Sequence, residues 1–398
     1  MRLPLVPMMI VLLVNVVIDY YIWRVARGRC RSKVPSRIQL ISASLIYLGL
    51  FVTICLPRRS GSDDTLAIVM WLLFGYFSVL VSKALFVIFD LLASLPRVFG
   101  RRRVRWISLG GGVLAVVAFL AMWWGALVNR FRIDVKEVTV EIAGLPQEFD
   151  GFTIAQFSDF HVGTYGGDTT YVSHVVDRIN SLDTDLIVFT GDIVNRRTEE
   201  LLPFVGPLSR LDAPYGVYSI LGNHDYGDYC EWESPTAKQA NMDEMYRLQK
   251  NMHWTLLLNE HEWLRRGNDS IALVGVENVG DPPFKIYGSL PQAYPTLSDD
   301  VTKILLSHNP AHWTDDIADN DSINVALTLS GHTHAMQIEV LGWSPAVFRY
   351  PTWGGLYSDS SHKSQLYVNI GLGAVGIPMR LGATPEITVL TLRRARTE

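Results

Sequence analysis

Five short runs in the second half of the chain hold the residues best suited to chemistry: Asp159-Phe160-His161, Gly191-Asp192, Gly222-Asn223-His224-Asp225, Ser307-His308-Asn309-Pro310 and Gly331-His332-Thr333-His334. Each contains Asp, Asn or His, the hard and borderline donors that suit divalent cations holding a phosphate. Asp159 and His161 are two residues apart, so in an extended segment both side chains point the same way and reach one metal. His332 and His334 repeat that spacing. Gly191 permits a sharp turn from which Asp192 projects. A bridging carboxylate there is the simplest way to hold two cations about 3.5–4 Å apart; a helix-capping Asp is the competing use. In the third run, Asn223 offers a neutral oxygen to a metal or a substrate. His224 can stay off the metals and face the substrate, and Asp225 could set its tautomer or raise its basicity, which makes both catalytic candidates. The same four residues would also suit a surface turn. His308 closes the apolar run Ile304–Leu306, and Pro310 suits the first turn of a following helix. His312, four residues on, reads as a helix-surface or packing residue. His174, His253, His261 and His362 lie outside any such setting.

These runs need a scaffold that brings them together, and each follows a β-like apolar stretch, where a parallel sheet gathers its functional loops. Strands are expected at Val138–Ile142, Phe152–Phe157, Leu186–Phe189, Gly216–Leu221, Ile271–Val276, Lys303–Leu306, Val325–Leu329, Gln337–Val340, Leu366–Ile370 and Glu386–Leu392. Helical spacing covers Tyr171–Leu182 and Met242–Asn251. The early alternation argues βαβ units, and the denser strands that follow argue a second sheet.

The first third of the chain has a different composition. A bilayer core needs about 20 mainly apolar residues per helix, and four stretches qualify: Leu3–Trp23, Ile38–Leu56, Leu66–Phe86 and Ile107–Val128. Lys83 is expected to snorkel near an interface, with Ala84–Leu95 lying along the membrane surface; one long tilted helix is the alternative. Trp23, Trp106, Trp123 and Trp124 fall near expected helix ends, as interfacial aromatics do. A dense basic run after the first stretch argues for a retained helix over a cleaved signal. Arg24, Arg27, Arg29, Arg31, Lys33 and Arg37 form one basic cluster, and Arg97, Arg101, Arg102, Arg103 and Arg105 another. The loop between has only Arg58 and Arg59, beside Asp63 and Asp64. Positive-inside logic places the first and third loops in the cytoplasm and both chain ends outside. The ionisable residues Asp19, Lys83 and Asp90 sit near helix ends, which favours an anchor over a transporter. The expected organisation is residues 1–128 as a four-helix transmembrane anchor, 129–150 as linker and first strand, and 151–398 as the catalytic domain. A net charge of −4 over 398 residues gives no bulk attraction for nucleic acid. Of Cys30, Cys55 and Cys230 only the last lies in the second half, so that half forms no internal disulfide and cysteine leaves the compartment undecided.

Taken in order and spacing, the five runs resemble the calcineurin-like metallophosphoesterase family over roughly Val135–Leu392. The resemblance implies two β-sheets packed face to face and flanked by helices. It implies one metal held by Asp159, His161, Asp192 and His334, a second held by Asp192, Asn223, His308 and His332, and His224 facing the scissile phosphate. Purple acid phosphatases of the wider superfamily carry a tyrosine three residues after the bridging Asp. Asn195 stands there in this chain, so the expected cofactors are two divalent ions drawn from Mn, Zn or Fe(II). Gly371-Leu372-Gly373 and Pro385-Glu386-Ile387-Thr388 are similar to membrane-anchored bacterial members, which implies a bacterial inner membrane; the loop charges put the catalytic domain on its periplasmic or extracellular side. The implied reaction is hydrolysis of a phosphomono- or phosphodiester, including lipid-linked or cell-envelope substrates, by water activated at the metals. Two other readings accompany it. One is a UDP-2,3-diacylglucosamine-type pyrophosphate hydrolase of lipid A synthesis, which requires a cytoplasmic site. The other is an inactive metal-binding membrane receptor or scaffold. The aromatic segment holding Trp343, Phe348, Tyr350, Trp353 and Tyr357 is expected either to line the site mouth and meet lipid or to pack against the sheet.

Overall fold

The computed structural model describes residues 5–57 and 62–395. It divides into two compact units, one running through Leu127 and one comprising Val128–Val375 and Arg380 onward.

The first unit is built from α1 (Leu5–Arg29), α2 (Val34–Cys55), α3 (Asp63–Ser94) and α4 (Arg105–Leu127). All four are long and apolar enough to cross a bilayer. The start of the first expected stretch, at Leu3, and the pair Arg58 and Arg59 lie outside the described residues. Two readings of the third stretch need correction. It does not break near Phe86 to lie along a surface: α3 continues unbroken for 32 residues, about 48 Å at 1.5 Å per residue. Nor does Lys83 snorkel, because its Nζ donates to Asp19 Oδ1 at 2.7 Å. Asp19 also accepts from Gln39 (2.7 Å) and Tyr47 (2.8 Å). A carboxylate at this depth needs partners to offset lost hydration, and Asp90 follows the same rule. It is fully buried and receives Arg29 at 2.6 Å, Tyr21 at 2.7 Å, and also Arg103 and Ser108. Arg29 closes α1 and Arg103 precedes α4, so the first and third loops lie at one end of the bundle. Trp123 is half-buried and packs against Trp71 and Phe74; Trp106 is exposed.

The second unit contains two six-stranded sheets with α5 (Thr170–Asn180), α6 (Val205–Leu208), α7 (Pro235–Asn251) and α8 (Leu290–Ala293). The first sheet holds β1 (Asp134–Ile142), β2 (Thr153–Phe157), β3 (Leu186–Phe189), β4 (Val217–Ser219), β5 (Trp254–Leu256) and β12 (Glu386–Arg394), in the order β1-β12-β2-β3-β4-β5. The second holds β6 (Glu260–Arg266), β7 (Asp269–Gly275), β8 (Lys303–Leu306), β9 (Leu327–Ser330), β10 (Gly355–Ser358) and β11 (Gln365–Val368), in the order β10-β11-β9-β8-β7-β6. The central strands β2-β3-β4 and β7-β8-β9 are parallel within their sheets. β3 is apolar and buried at all four positions, which fits a strand covered on both faces. Between the sheets lie Ile154, Leu186, Val188 and Leu390 from one side and Leu273, Ile304, Leu306 and Leu329 from the other. The outer face of the first sheet is covered by α5 and α7 through Val172, Val176, Met245 and Leu248.

The expected strand at Gln337–Val340 does not form. Ala335, Met336 and Gln337 have φ of 51°, 45° and 60°, and Leu341 has 53°, which breaks the extended run. Only isolated bridges remain there, from Ile338 to Leu381 and from Val340 to Trp343. Strands β5, β6 and β10 carry no clear alternation and were not legible from the sequence.

Candidate metal centre

The parallel strands deliver all five runs to the same edge of the two sheets. Asp159 and His161 follow β2, Asp192 follows β3, Asn223–Asp225 follow β4, His308 follows β8, and His332 and His334 follow β9. Backbone bonds tie the loops together: Asp159 N–H donates to Gly191 O (2.9 Å), His161 N–H to Asp192 O (3.2 Å) and Gly331 N–H to His308 O (2.9 Å). Glycine is required where loops nearly touch. A Cβ on Gly222 would overlap the Asp192 carboxylate, and one on Gly331 would overlap Ser158 Oγ and Asp159 Oδ2.

Two groups of candidate ligands result: Asp159, His161 and His334, and Asp192, His308 and His332, with ligand atoms in each group within 4.8 Å of one another. His334 Nε2 lies 3.2 Å from Asp159 Oδ1, and His308 Nε2 lies 3.2 Å from Asp192 Oδ2. Asp192 Oδ2 is also 3.7 Å from His161 Nε2, so one carboxylate faces both groups. Asp159, His161, Asp192, His332 and His334 all adopt left-handed backbone, with φ between 48° and 74°. Such backbone costs a non-glycine residue roughly 1–2 kcal/mol, and strain of this kind gathers at functional sites. His224 and His332 are half-buried while the other expected residues are buried, so these two imidazoles stand at the opening.

The donor set fits divalent cations. His161 Nδ1–H donates to Val194 O at 3.1 Å and His308 Nδ1–H to Thr190 O at 2.7 Å, which leaves each Nε2 lone pair aimed inward. His332 is turned the other way: Nε2–H donates to Tyr350 Oη at 2.9 Å, and Nδ1 lies 3.3 Å from His308 Nε2. His161 Nε2 and His334 Nε2 are 3.1 Å apart. Two imidazole nitrogens so close need a proton or a cation between them. Asn223 Oδ1 is buried with no hydrogen-bond partner among the described residues, while its Nδ2 donates to Tyr229 Oη at 2.9 Å. Burial opposes a charge on His308, yet the adjacent Asp192 carboxylate raises its pKa to about 9. Burial and then His308 lower His332 to about 3. Two carboxylates and four imidazoles facing one another form a donor set that a divalent ion could occupy.

His224 sits beside this cluster, its ring edge-on to His161 at 4.8 Å and stacked on Tyr229 at 4.3 Å. Asp225 makes no hydrogen bond to its ring among the described residues, contrary to expectation. The acceptor for His224 Nδ1–H is the Asn195 carbonyl. Asp225 instead accepts four backbone N–H bonds, from Asp192 (2.8 Å), Ile193 (2.9 Å), Val194 (3.2 Å) and Gly222 (2.9 Å). Its carboxylate points back under the Asp192 loop because those amides have no other acceptor. Burial and then Asp192 push Asp225 up to about 7.

Sequence reasoning passed over several neighbours. Asn195 orients His224 through its carbonyl, a role no side-chain pattern signals. Tyr350 links His332 to Asp281, donating at 3.2 Å. Arg380 is wholly buried, donating to the carbonyls of Gly373, Ala383 and Ile370 with Nη2 3.1 Å from His334 Nδ1. His312 is a buried packing residue bonded to Ser307 Oγ at 2.8 Å, outside the centre.

Comparison with known proteins gives matches to both halves of the chain. Residues 152–336 match the model for calcineurin-like phosphoesterases, and residues 1–130 match one described as the transmembrane domain of probable calcineurin-like phosphoesterases. The metallophosphoesterase YkuE of Bacillus subtilis is 36% identical over 75% of this chain and 96% of its own length. The chain belongs to the calcineurin-like phosphoesterase family. It is a membrane-associated metallophosphoesterase, an integral membrane protein with four spanning helices and a hydrolase of phosphoesters, and its family uses divalent metals. A further relative, the transmembrane protein with metallophosphoesterase domain of Danio rerio, is 27% identical over 94% of this chain and 86% of its own length. Among solved structures, phosphopantetheinyl hydrolase PptH of Mycobacterium tuberculosis matches 58% of this chain and 91% of its own, with 14% identity and a TM-score of 0.31.

Proposed function

We propose that this chain is a two-metal phosphoesterase acting on a phosphomono- or phosphodiester at the outer face of a bacterial inner membrane, lipid-linked and cell-envelope substrates included. The observation that carries the reading is the pair of close imidazole contacts, 3.1 Å and 3.3 Å, set around one carboxylate that faces both groups. Asp159, His161, Asp192 and His334 would hold one ion; Asp192, Asn223, His308 and His332 would hold the other. Mn, Zn and Fe(II) all suit these N/O donors. When bound, such a pair supplies Lewis acidity to the phosphoryl oxygens and a nucleophile from water at neutral pH.

The chain's own residues supply the rest. Asp225 fixes the Asp192 loop, and Asp192 Oδ1 accepts His224 N–H at 2.8 Å. With Nδ1–H given to Asn195, His224 keeps Nε2 free of protein hydrogen bonds among the described residues; once that nitrogen has taken up a proton, the imidazolium can donate it to the leaving oxygen. Tyr229 stacks on that ring and holds Asn223, which fixes both substrate-facing residues together. Support for the outer placement comes from the two arginine-rich loops at one end of the bundle, read by positive-inside logic. The experiment is metal content and phosphodiester turnover of the purified full chain. Asp192→Asn should lose both together, while His224→Ala should keep its metals and lose most turnover. Full turnover by His224→Ala would remove that residue from the chemistry.

A further inference from the structure

Directly after the ligands His332 and His334, the chain builds a short apolar projection. Met336, Val340, Leu341, Trp343 and Phe348 are 54%, 53%, 102%, 50% and 84% exposed. Five large apolar side chains exposed within 13 positions are more than the scattered hydrophobics of an ordinary surface. The projection is held from behind. Glu339 N–H donates to Leu381 O and Leu381 N–H to Gln337 O, both at 2.8 Å. Ser344 Oγ donates to Ala335 O at 2.6 Å. Trp353, grouped with these aromatics in the sequence, packs against Ala335, Ile370 and Ala383 and is part of this support.

The tip is a tight turn. Val340 and Trp343 exchange backbone bonds at 2.8 and 3.1 Å around Leu341 and Gly342, whose φ values are 53° and 77°. Two central residues with positive φ ordinarily call for Asn-Gly or Asp-Gly. Leucine here pays a backbone penalty and presents its whole side chain to solvent, so nothing in the folded unit accounts for it. Trp343 and Phe348 stand edge to face beside it, with centroids 5.9 Å apart.

We infer that this projection is a membrane-docking hairpin, and that its occupant is the headgroup–acyl boundary of the bilayer carrying the four helices. That bilayer is never far away. Only six residues separate Leu127 from Asp134, and an extended run of that length spans about 20 Å. Trp, Phe and Leu on a rigid tip are the side chains that partition into this boundary. Because the hairpin continues from His334, docking would set the opening of the metal centre against the lipid surface and select phosphoesters held in it. That last consequence rests on the phosphoesterase reading; the docking itself does not.

The test uses the full chain in lipid nanodiscs, with the exposed Cys30 and Cys55 changed to Ser and the buried Cys230 retained. Leu341→Cys, Phe348→Cys and, as a control at the exposed β6–β7 turn, Asn268→Cys each carry an environment-sensitive fluorophore. Docking predicts blue-shifted emission at 341 and 348 that spin-labelled lipids quench, with water-like emission at 268. Water-like, unquenched emission at 341 would overturn the inference. So would a blue shift that lipid quenchers leave untouched, since a protein surface would then cover the tip. A second arm compares Leu341→Ser with Phe348→Ser combined against the unaltered chain. Turnover of a bilayer-held phosphodiester should fall about tenfold or more, from the lost partitioning of two large apolar groups, with a soluble chromogenic phosphodiester changed less than about twofold. Equal loss on both substrates would sink the selection claim. No hydrolysis of either by the unaltered chain would strike the phosphoesterase reading and leave the fluorescence result standing.

Discussion

Replacing Asp225 by Asn separates a structural role from a chemical one. Its two carboxylate oxygens accept four backbone N–H bonds: Oδ2 from Asp192 and Gly222, Oδ1 from Ile193 and Val194. An amide keeps one acceptor oxygen and turns an N–H₂ toward the other pair. Two buried donors lose their acceptor, each at roughly 1–3 kcal/mol. The sum is about 3 kcal/mol once local relaxation is allowed, a large part of a typical stability of 5–15 kcal/mol. At roughly 2–4 °C per kcal/mol for a domain of this size, thermal unfolding of the second unit should fall by about 6–12 °C. Because two of the four amides belong to Asp192 and Ile193, the Asp192 carboxylate should also shift and metal content should drop. The assay is a thermal melt of the full chain in detergent, beside elemental analysis of the same sample. An unchanged melt and full metal content with lost turnover would refute this reasoning, and would return Asp225 to a direct role at His224.

Other consequences follow from the same geometry. Gly331→Ala should deplete bound metal, because the new Cβ meets Ser158 Oγ and Asp159 Oδ2; elemental analysis checks it, and full occupancy would contradict it. Tyr350→Phe removes the acceptor of His332 Nε2–H at 2.9 Å and should weaken metal affinity by roughly 10–100-fold, read by chelator competition. His312, lowered to about 4 from an ordinary 6.5 by burial, binds its proton more readily when unfolded. Its contribution is therefore present above pH 6.5 and lost as pH falls toward 4, about 3 kcal/mol over that window at 1.36 kcal/mol per pH unit. His312→Gln should flatten the pH dependence of the melt between pH 7 and 4.5, and a parallel curve would argue against it.

Much of the candidate centre was legible because side chains able to hold a metal come in few types and here sit where parallel strands end. Asp159, His161, Asp192, His308, His332 and His334 each follow a short buried strand, and β3 and β8 fall on the residues where continuous apolar runs place them. Side-chain chemistry says nothing, however, about what a backbone carbonyl will accept. Asp225, expected to set the His224 tautomer, clamps a loop instead, and the Asn195 carbonyl, 29 residues away, accepts His224 Nδ1–H. The failed strand at Gln337–Val340 has the same origin, since its alternation is genuine but positive φ at Ala335–Gln337 overrides it. In the helical unit, hydropathy located the spans but not the pairing of Lys83 with Asp19 or of Arg29 and Arg103 with Asp90. Ion pairs between distant segments leave no local signature.

The central claim is that one aspartate faces two cations. Anomalous difference maps from manganese-loaded crystals of the full chain test it most directly. The account predicts two peaks, one among Asp159, His161 and His334 and one among Asp192, His308 and His332, with the Asp192 carboxylate touching both. A single peak, or a second peak out of reach of Asp192, in a protein that still hydrolyses phosphodiesters, would contradict it.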